Sequence, residues 1–534
     1  MQLSDSVKDL YRRLVAINQL SKPPDESEPR IAVEDIVSKL AYLYEKMRVT
    51  MDYQEDHLLR RFAIERNVRR RIVLETLKPK VAQSLIEELI RSGYLPNNTL
   101  PESAVLPIAE IINRYEYLID LVHDEITDAG ERRKIIDWIA GVLACEIDLT
   151  LSPEWRVDAL IECLYSIVRD RIKIKGSPLS EREKNIQLYI TLHKEMVKSD
   201  NPIISYHLLN LYFPDWLRAD RRMTEFVASK ISSIYYGIQA HLANPIRTKL
   251  AASLRPQIVV FKVLRELIHQ HGSNLAELFG NPEFLETEAR KVVDRNYKQV
   301  RKRLRRSSLR AILYILITKV ALAFLLEYPY DLYVEGKINV VAMTINILFP
   351  PLLMFAVTLS AKLPGAANTK RILQELRSIV YGDAGKNILC EVRVKRKQGP
   401  LYFFFENLFY ILLYGFIFGI IISILRSLDF NLLSGGIFLF FVTAVSFFGT
   451  RIRQMTKDFA AEPRREAISG FLVTFFSLPL IRAGHWLSVN MRRVNLIVFI
   501  LDFIVEAPFK SFIELIESWF GFLREKKEDT YKSA

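Results

Sequence analysis

Apolar and polar positions divide this chain into two regimes. In the N-terminal half, apolar side chains recur every three or four positions. Val105, Ile108, Ile111, Ile112, Tyr115, Leu118, Ile119 and Val122 form one such series, and Ile135, Ile139, Val142, Leu143 and Ile147 form another. That period gathers them on one face of a helix and leaves the other face to water. From Leu309 onward the apolar runs become continuous and long enough to cross a bilayer. They predict spans at 309–326, 338–360, 401–425 and 432–449. Strand-like alternation is scarce, so the expected fold class is all-α. The expected domains are a large helical domain over 1–306, a four-span bundle over 307–450 with an inner loop at 361–400, and a tail over 451–534.

Helix starts are written into the polar half. Asn281-Pro282-Glu283 and Ser152-Pro153-Glu154 each place a capping side chain before a proline, and Ser180 and Glu183 have capping-box spacing. The tail reads differently. The apolar stretch 471–481 is too short to span and contains Pro479, so it predicts a re-entrant or interfacial segment. The stretch 494–524 is nearly all apolar except for a narrow stripe, Asp502, Glu506, Lys510, Glu514 and Glu517. Their spacing keeps them on one helical face, as in an amphipathic helix lying in the interface. The competing reading makes 467–488 and 494–516 two further spans.

Charge orients the molecule. Lys and Arg number 74 against 61 Asp and Glu, a formal net charge of +13. Much of the excess flanks the spans, above all at Lys298, Arg301, Lys302, Arg303, Arg305 and Arg306. The positive-inside rule places these residues, and both termini, on the cytoplasmic side, next to anionic lipid headgroups. That accounts for the basic balance without a nucleic-acid partner. The segment 327–335 carries Glu327, Asp331 and Glu335 and suits the outer side. No basic segment followed by an apolar core opens the chain, so the first span is expected to direct insertion. A second basic series, Arg60, Arg61, Arg66, Arg69, Arg70 and Arg71, reads as a solvated helix face or a surface for anionic lipid or an acidic partner.

Candidate chemistry is sparse. Phosphate-binding glycine loops, HExxH and GxSxG are missing. Cys145, Cys163 and Cys390 are far apart and form no CxxC pair, so no zinc ribbon or disulfide framework is expected. Neither a metal nor a cofactor is expected, and the balance leans away from an enzyme. The most pointed residue is Lys319. It lies nine positions past Arg310, roughly 13 Å along a helix and close to mid-bilayer. A charge at that depth usually faces protein or a water-filled cavity. Asn346 on the returning span and Glu406 on the third are its expected neighbours. Pro350-Pro351 breaks the second span's backbone bonding, and Arg482, His485, Asp502, Glu506 and Lys510 form a candidate polar group at the interface. Gly415, Gly419, Gly435 and Gly436 read as close helix contacts.

These features predict a membrane-anchored interaction or scaffold protein that presents its helical domain to a protein partner. The alternative is a channel or transporter with a polar path through Lys319, Asn346 and Glu406. A third reading, an enzyme within the membrane, would use Glu406 or the Arg482, His485, Asp502 and Glu506 group.

Overall fold

The computed structural model describes residues 3–20, 28–33, 42, 45, 58–74, 77–176, 179–272, 274–361, 363–382, 390–393, 399–457, 460–461 and 468–492. The stretch 494–524, with Asp502, Glu506 and Lys510, lies outside them. The described chain is almost wholly helical and separates into two compact units.

The first unit comprises Asp9–Arg169 and Leu179–Ala251. Its helices, with α1 (Asp5–Leu20) leading in, are α2 (Leu59–Val73), α3 (Ala82–Arg91), α4 (Val105–Glu125), α5 (Ala129–Leu151), α6 (Trp155–Val168), then α7 (Glu181–Met196), α8 (Asn201–Tyr212), α9 (Arg221–Ser229), α10 (Ile231–Ala243) and the start of α11 (Ile246–Ser253). The central element is α5, against which α2, α4 and α8 pack. Its run Ala140–Ile147 is buried on every side, which small and apolar residues allow. Gly141 gives the closest approach: a Cβ there would lie 3.2 Å from the Pro202 ring. On α4 the buried residues are Ile108, Ile111, Ile112, Tyr115, Leu118, Ile119 and Val122, all from the apolar series. Side-chain caps start four of these helices, α5, α7, α8 and α9. Asp128, Asp200 and Asp220 accept from backbone N–H groups three residues on, and Ser180 with Glu183 closes a full capping box. Ser152 instead ends α5, and α6 begins at Trp155 without a side-chain cap.

The second unit comprises Met1–Lys8, Asp170–Pro178 and Ala252–Val494. It contains β1 (Ile172–Lys175), α12 (Arg255–Gln270), α13 (Leu275–Gly280), α14 (Pro282–Leu322), α15 (Val340–Ser360), α16 (Ala366–Tyr381), β2 (Cys390–Arg393), α17 (Pro400–Ser427), α18 (Leu432–Lys457) and α19 (Ile468–Arg492). The basic stretch 361–400, expected as a loop, carries α16. Its Ile372, Leu373, Leu376, Ile379 and Val380 are buried, and it packs against α12 and α14. After it, β2 pairs in parallel with β1, Ile172 opposite Cys390 and Lys175 opposite Arg393. Among the described residues this is the one sheet.

Among the described residues four helices are long and apolar enough to cross a membrane, all in this unit. Three match the predicted spans closely. The first is longer than expected. From α14 the helix continues through wider π-type turns at Ala323–Glu327 and Asp331–Glu335, stopping at Gly336 with φ +65°. The continuous stretch Pro282–Glu335 is 54 residues, so Glu327 and Asp331 belong to the helix and not to an outer loop. Residues 471–481 likewise do not form a short segment of their own. They sit inside α19, a continuous 25-residue helix that carries Pro479 in its interior and packs along α18.

Candidate functional site

Lys319 is fully enclosed, and so are the groups around it: Asn346 is 0% exposed and Glu327 1%. The Lys319 ammonium donates to Asn346 Oδ1 at 2.5 Å. Asn346 Nδ2 in turn donates to Glu327 Oε2 at 2.7 Å and to the Ser434 carbonyl at 3.2 Å. Glu327 Oε1 accepts no hydrogen bond but lies 3.6 Å from the Lys319 nitrogen, within ion-pair reach. The ammonium also sits over the Phe441 ring, 4.7 Å from its centroid. One positive and one negative charge thus neutralise each other, with an amide between them. The cluster ties α14 and its continuation to α15 and α18.

Helix geometry explains how Glu327 reaches this place. Eight residues along a regular α-helix would leave it about 80° away from Lys319. The π-type turn Ala323–Glu327 winds more slowly, with i→i+5 bonding, and brings the carboxylate back toward the lysine's face. Next to the cluster, Pro350 and Pro351 lack the N–H groups that would bond the Asn346 and Ile347 carbonyls. Both prolines are buried, and α15 runs through them without interruption. A second polar set closes one end of the bundle. Asn431 donates to Asp331 and caps the Ser434 amide, while Asn339 donates to the Leu428 and Asp429 carbonyls at 3.2 Å each and caps Ala342.

Glu406, expected beside Lys319, stands elsewhere. It is half-buried on α17 and takes no part in the cluster. The expected partner was of the right charge on the wrong helix, because an acid placed in a loop by its flanking charges is in fact helical and enclosed. Arg482 and His485 do not converge either. Arg482 stacks on Tyr410 of α17 at 4.5 Å and His485 on Phe447 of α18 at 5.3 Å.

The arginine series on α2 is largely engaged within the chain, with Arg69 still exposed. Arg60 pairs with Asp148, Arg61 with Glu65 and Asp200, Arg66 with Glu45 and Arg69 with Asp137. The chain supplies the acidic partners itself, and Arg61 is 1% exposed. Beside Arg61 lies a cavity of about 40 Å³, lined among others by Cys145, Asp148, Asp158, His193 and His207. That is room for a few waters. The two imidazole rings lie 4.5 Å apart. Burial holds His207 down at about 4, and burial plus the neighbouring His207 holds His193 well below the usual imidazole range. Burial, helped by Glu154, pushes the Asp158 carboxyl up to about 6. Burial also raises the Cys145 thiol well above its ordinary value, which keeps it protonated and unreactive. Among the described residues, no group of three or more His, Cys, Asp or Glu is arranged to hold a metal ion.

The six cations from Lys298 to Arg306 are all exposed on α14. The chain matches no known family model, and neither curated proteins nor solved structures show a significant likeness to it.

Proposed function

We propose that this chain is a membrane-anchored interaction protein. The bundle serves as a rigid mount, and the unit of Asp9–Arg169 and Leu179–Ala251 is the working part, facing the cytoplasm and meeting a protein partner. The observation that carries this reading is the enclosure of Lys319. A polar path needs charged groups open to water, whereas Lys319, Asn346 and Glu327 engage one another at 0–1% exposure. Such a cluster orients helices in the way interhelical polar contacts do. The unbroken helix Pro282–Glu335 supports the role of a mount, since one rigid element carries both the basic approach and the span. Exposed Leu211, Leu217 and Phe226, about half accessible at 54%, 52% and 47%, offer apolar contact area on the working unit.

Flux through proteoliposomes containing the full chain tests the reading. Ion or proton permeability should equal that of empty vesicles and should not respond to Lys319→Met. A conductance that this substitution abolishes would replace the anchor by a transporter. Photo-crosslinkers at Leu217 and Phe226 in native membranes should give a discrete protein adduct. For orientation, a cysteine at Lys337, which is exposed just past the first span, should be labelled from outside intact cells, and one at exposed Ser378 should not. The opposite pattern would invert the topology.

A further inference from the structure

Two kinds of cation sit on α14. Near its start, Arg290 and Lys291 are engaged by acids of their own helix, Arg290 with Glu286 at 3.9 Å and Lys291 with Glu288 at 2.7 Å. Further on, from Arg295 to Leu326, the sequence contains no acid at all. Within that stretch Lys298, Arg301, Lys302, Arg303, Arg305 and Arg306 are exposed, and among the described residues none forms an ion pair. At about 100° per residue these six, with Arg310, fall within an arc of about 200°. The opposite side of the same turns holds Leu304, which is buried against Met354, Val445 and Ile452, and Ser308, which is also buried. The helix therefore presents a packed side to the bundle and, from Lys298 to Arg310, a side whose charges are all positive.

We infer that this arc is a binding surface for the phosphodiester headgroups of anionic lipids, beyond its role in setting topology. Three observations fix the occupant. The cations adjoin the first residues of a stretch long and apolar enough to cross a bilayer on one continuous helix, so crossing would hold Arg305, Arg306 and Arg310 at headgroup depth and the others within the next three turns. Asp294 shares their face one turn before Lys298, but from Arg295 to Leu326 no acidic residue competes for them. They surround the outward side of the helix, as contact with many laterally mobile anions requires, rather than converging on one pocket. Mixed Lys and Arg suit the task, because each Arg can take two phosphate oxygens while Lys acts as a mobile point charge. The inference does not depend on what the other unit binds.

The test reconstitutes the full chain in phosphatidylcholine vesicles and compares spin-labelled phosphatidylglycerol with spin-labelled phosphatidylcholine at the protein boundary. The anionic label should be preferred by about threefold or more. Half-molar salt should reduce that preference strongly. Replacing the six cations by Gln should bring it near parity, and replacing the four arginines by Lys should largely retain it. The salt dependence of the unaltered protein is a readout that survives if the Gln variant does not insert. Equal binding of the two labels by the unaltered protein, or a preference indifferent to salt and to the Gln replacement, would overturn the inference. Displacement of the anionic label by a short oligonucleotide at physiological salt would overturn it in favour of nucleic acid.

Discussion

Single residues show most plainly which physical terms a sequence exposes. Lys319 stands out because a charge in a long apolar run has no inexpensive environment, and Asn346 follows from matching depths. Glu327 does not stand out, since its position eight residues on looks wrong for a shared face until the π-type turn is known. The enclosed pair has a measurable signature. Lys319→Met should cost about 3–5 kcal/mol, because it strands the buried Glu327 carboxylate. Adding Glu327→Gln should recover much of that loss, whereas adding Glu406→Gln should recover none. Thermal melting of the detergent-solubilised protein distinguishes the pairs, and rescue by Glu406→Gln alone would reassign the partner. The buried imidazoles give a second prediction. His207, at about 4 when folded, and His193, also depressed, take up protons in the unfolded chain first, so their contribution is lost as pH falls below about 6.5. Asp158 acts in the opposite sense. Its folded value of about 6 lies above the unfolded value of about 3.8, so it gains relative stability as pH falls through 6. Asp158 offsets part of the histidines' effect, and the histidine contribution to stability should slope downward as pH drops from about 6.5 toward 5. In urea titrations His193→Gln should flatten that slope, and an unchanged slope would remove the histidines from the account.

At the scale of elements, legibility followed solvent. Spans were readable because lipid demands one long run of apolar residues, and capped amphipathic helices were readable because water demands a polar face. Helices whose identity depends on a distant partner were not. In sequence the apolar positions of α16 alternate with Lys370, Arg371 and Arg377, which take its exposed side, and this basic character masked the Ile372, Leu373, Leu376, Ile379 and Val380 stripe. In α19, Pro479 and the polar cluster from Arg482 argued for a short segment, yet packing along α18 sustains a helix of 25 residues. Glycines show the same limit. Gly415 and Gly419 have the spacing of a close helix contact, but nothing lies within 4 Å of a Cβ at either. The tight crossing belongs to Gly484, where a Cβ would overlap the Thr443 carbonyl oxygen and crowd Phe447. Gly484→Ala should therefore cost about 1–3 kcal/mol through forced separation of α18 and α19. Gly415→Ala should be neutral or slightly stabilising, as alanine is the better helix former. Equal effects at the two positions would refute this assignment of the crossing.

At the scale of the molecule, the hydropathy switch near Leu309 is not where compactness divides the chain. Residues 252–306 precede the first span, yet they group with the membrane-crossing helices, as do the four-residue strand Ile172–Lys175 and the first residues of the chain. No local signal could reveal this, because the contacts that decide it join segments far apart in sequence. The clearest case is α12. It buries Ile258, Val259, Val260, Phe261, Val263, Leu264, Leu267 and Ile268, and its packing partners include α14 and α16. A fragment cut at residue 290 keeps α12 but loses α16 and most of α14, leaving a broad apolar face in water. In a fragment ending at residue 251 the central α5 retains α2, α4 and α8 around it. The shorter fragment should be monomeric and melt in one cooperative transition by circular dichroism. The longer should be helical but self-associating, with a broad melt and binding of a hydrophobic dye. Sedimentation of both settles the matter: a monomeric, sharply melting 1–290 fragment would show that α12 and α13 complete the first unit rather than the second.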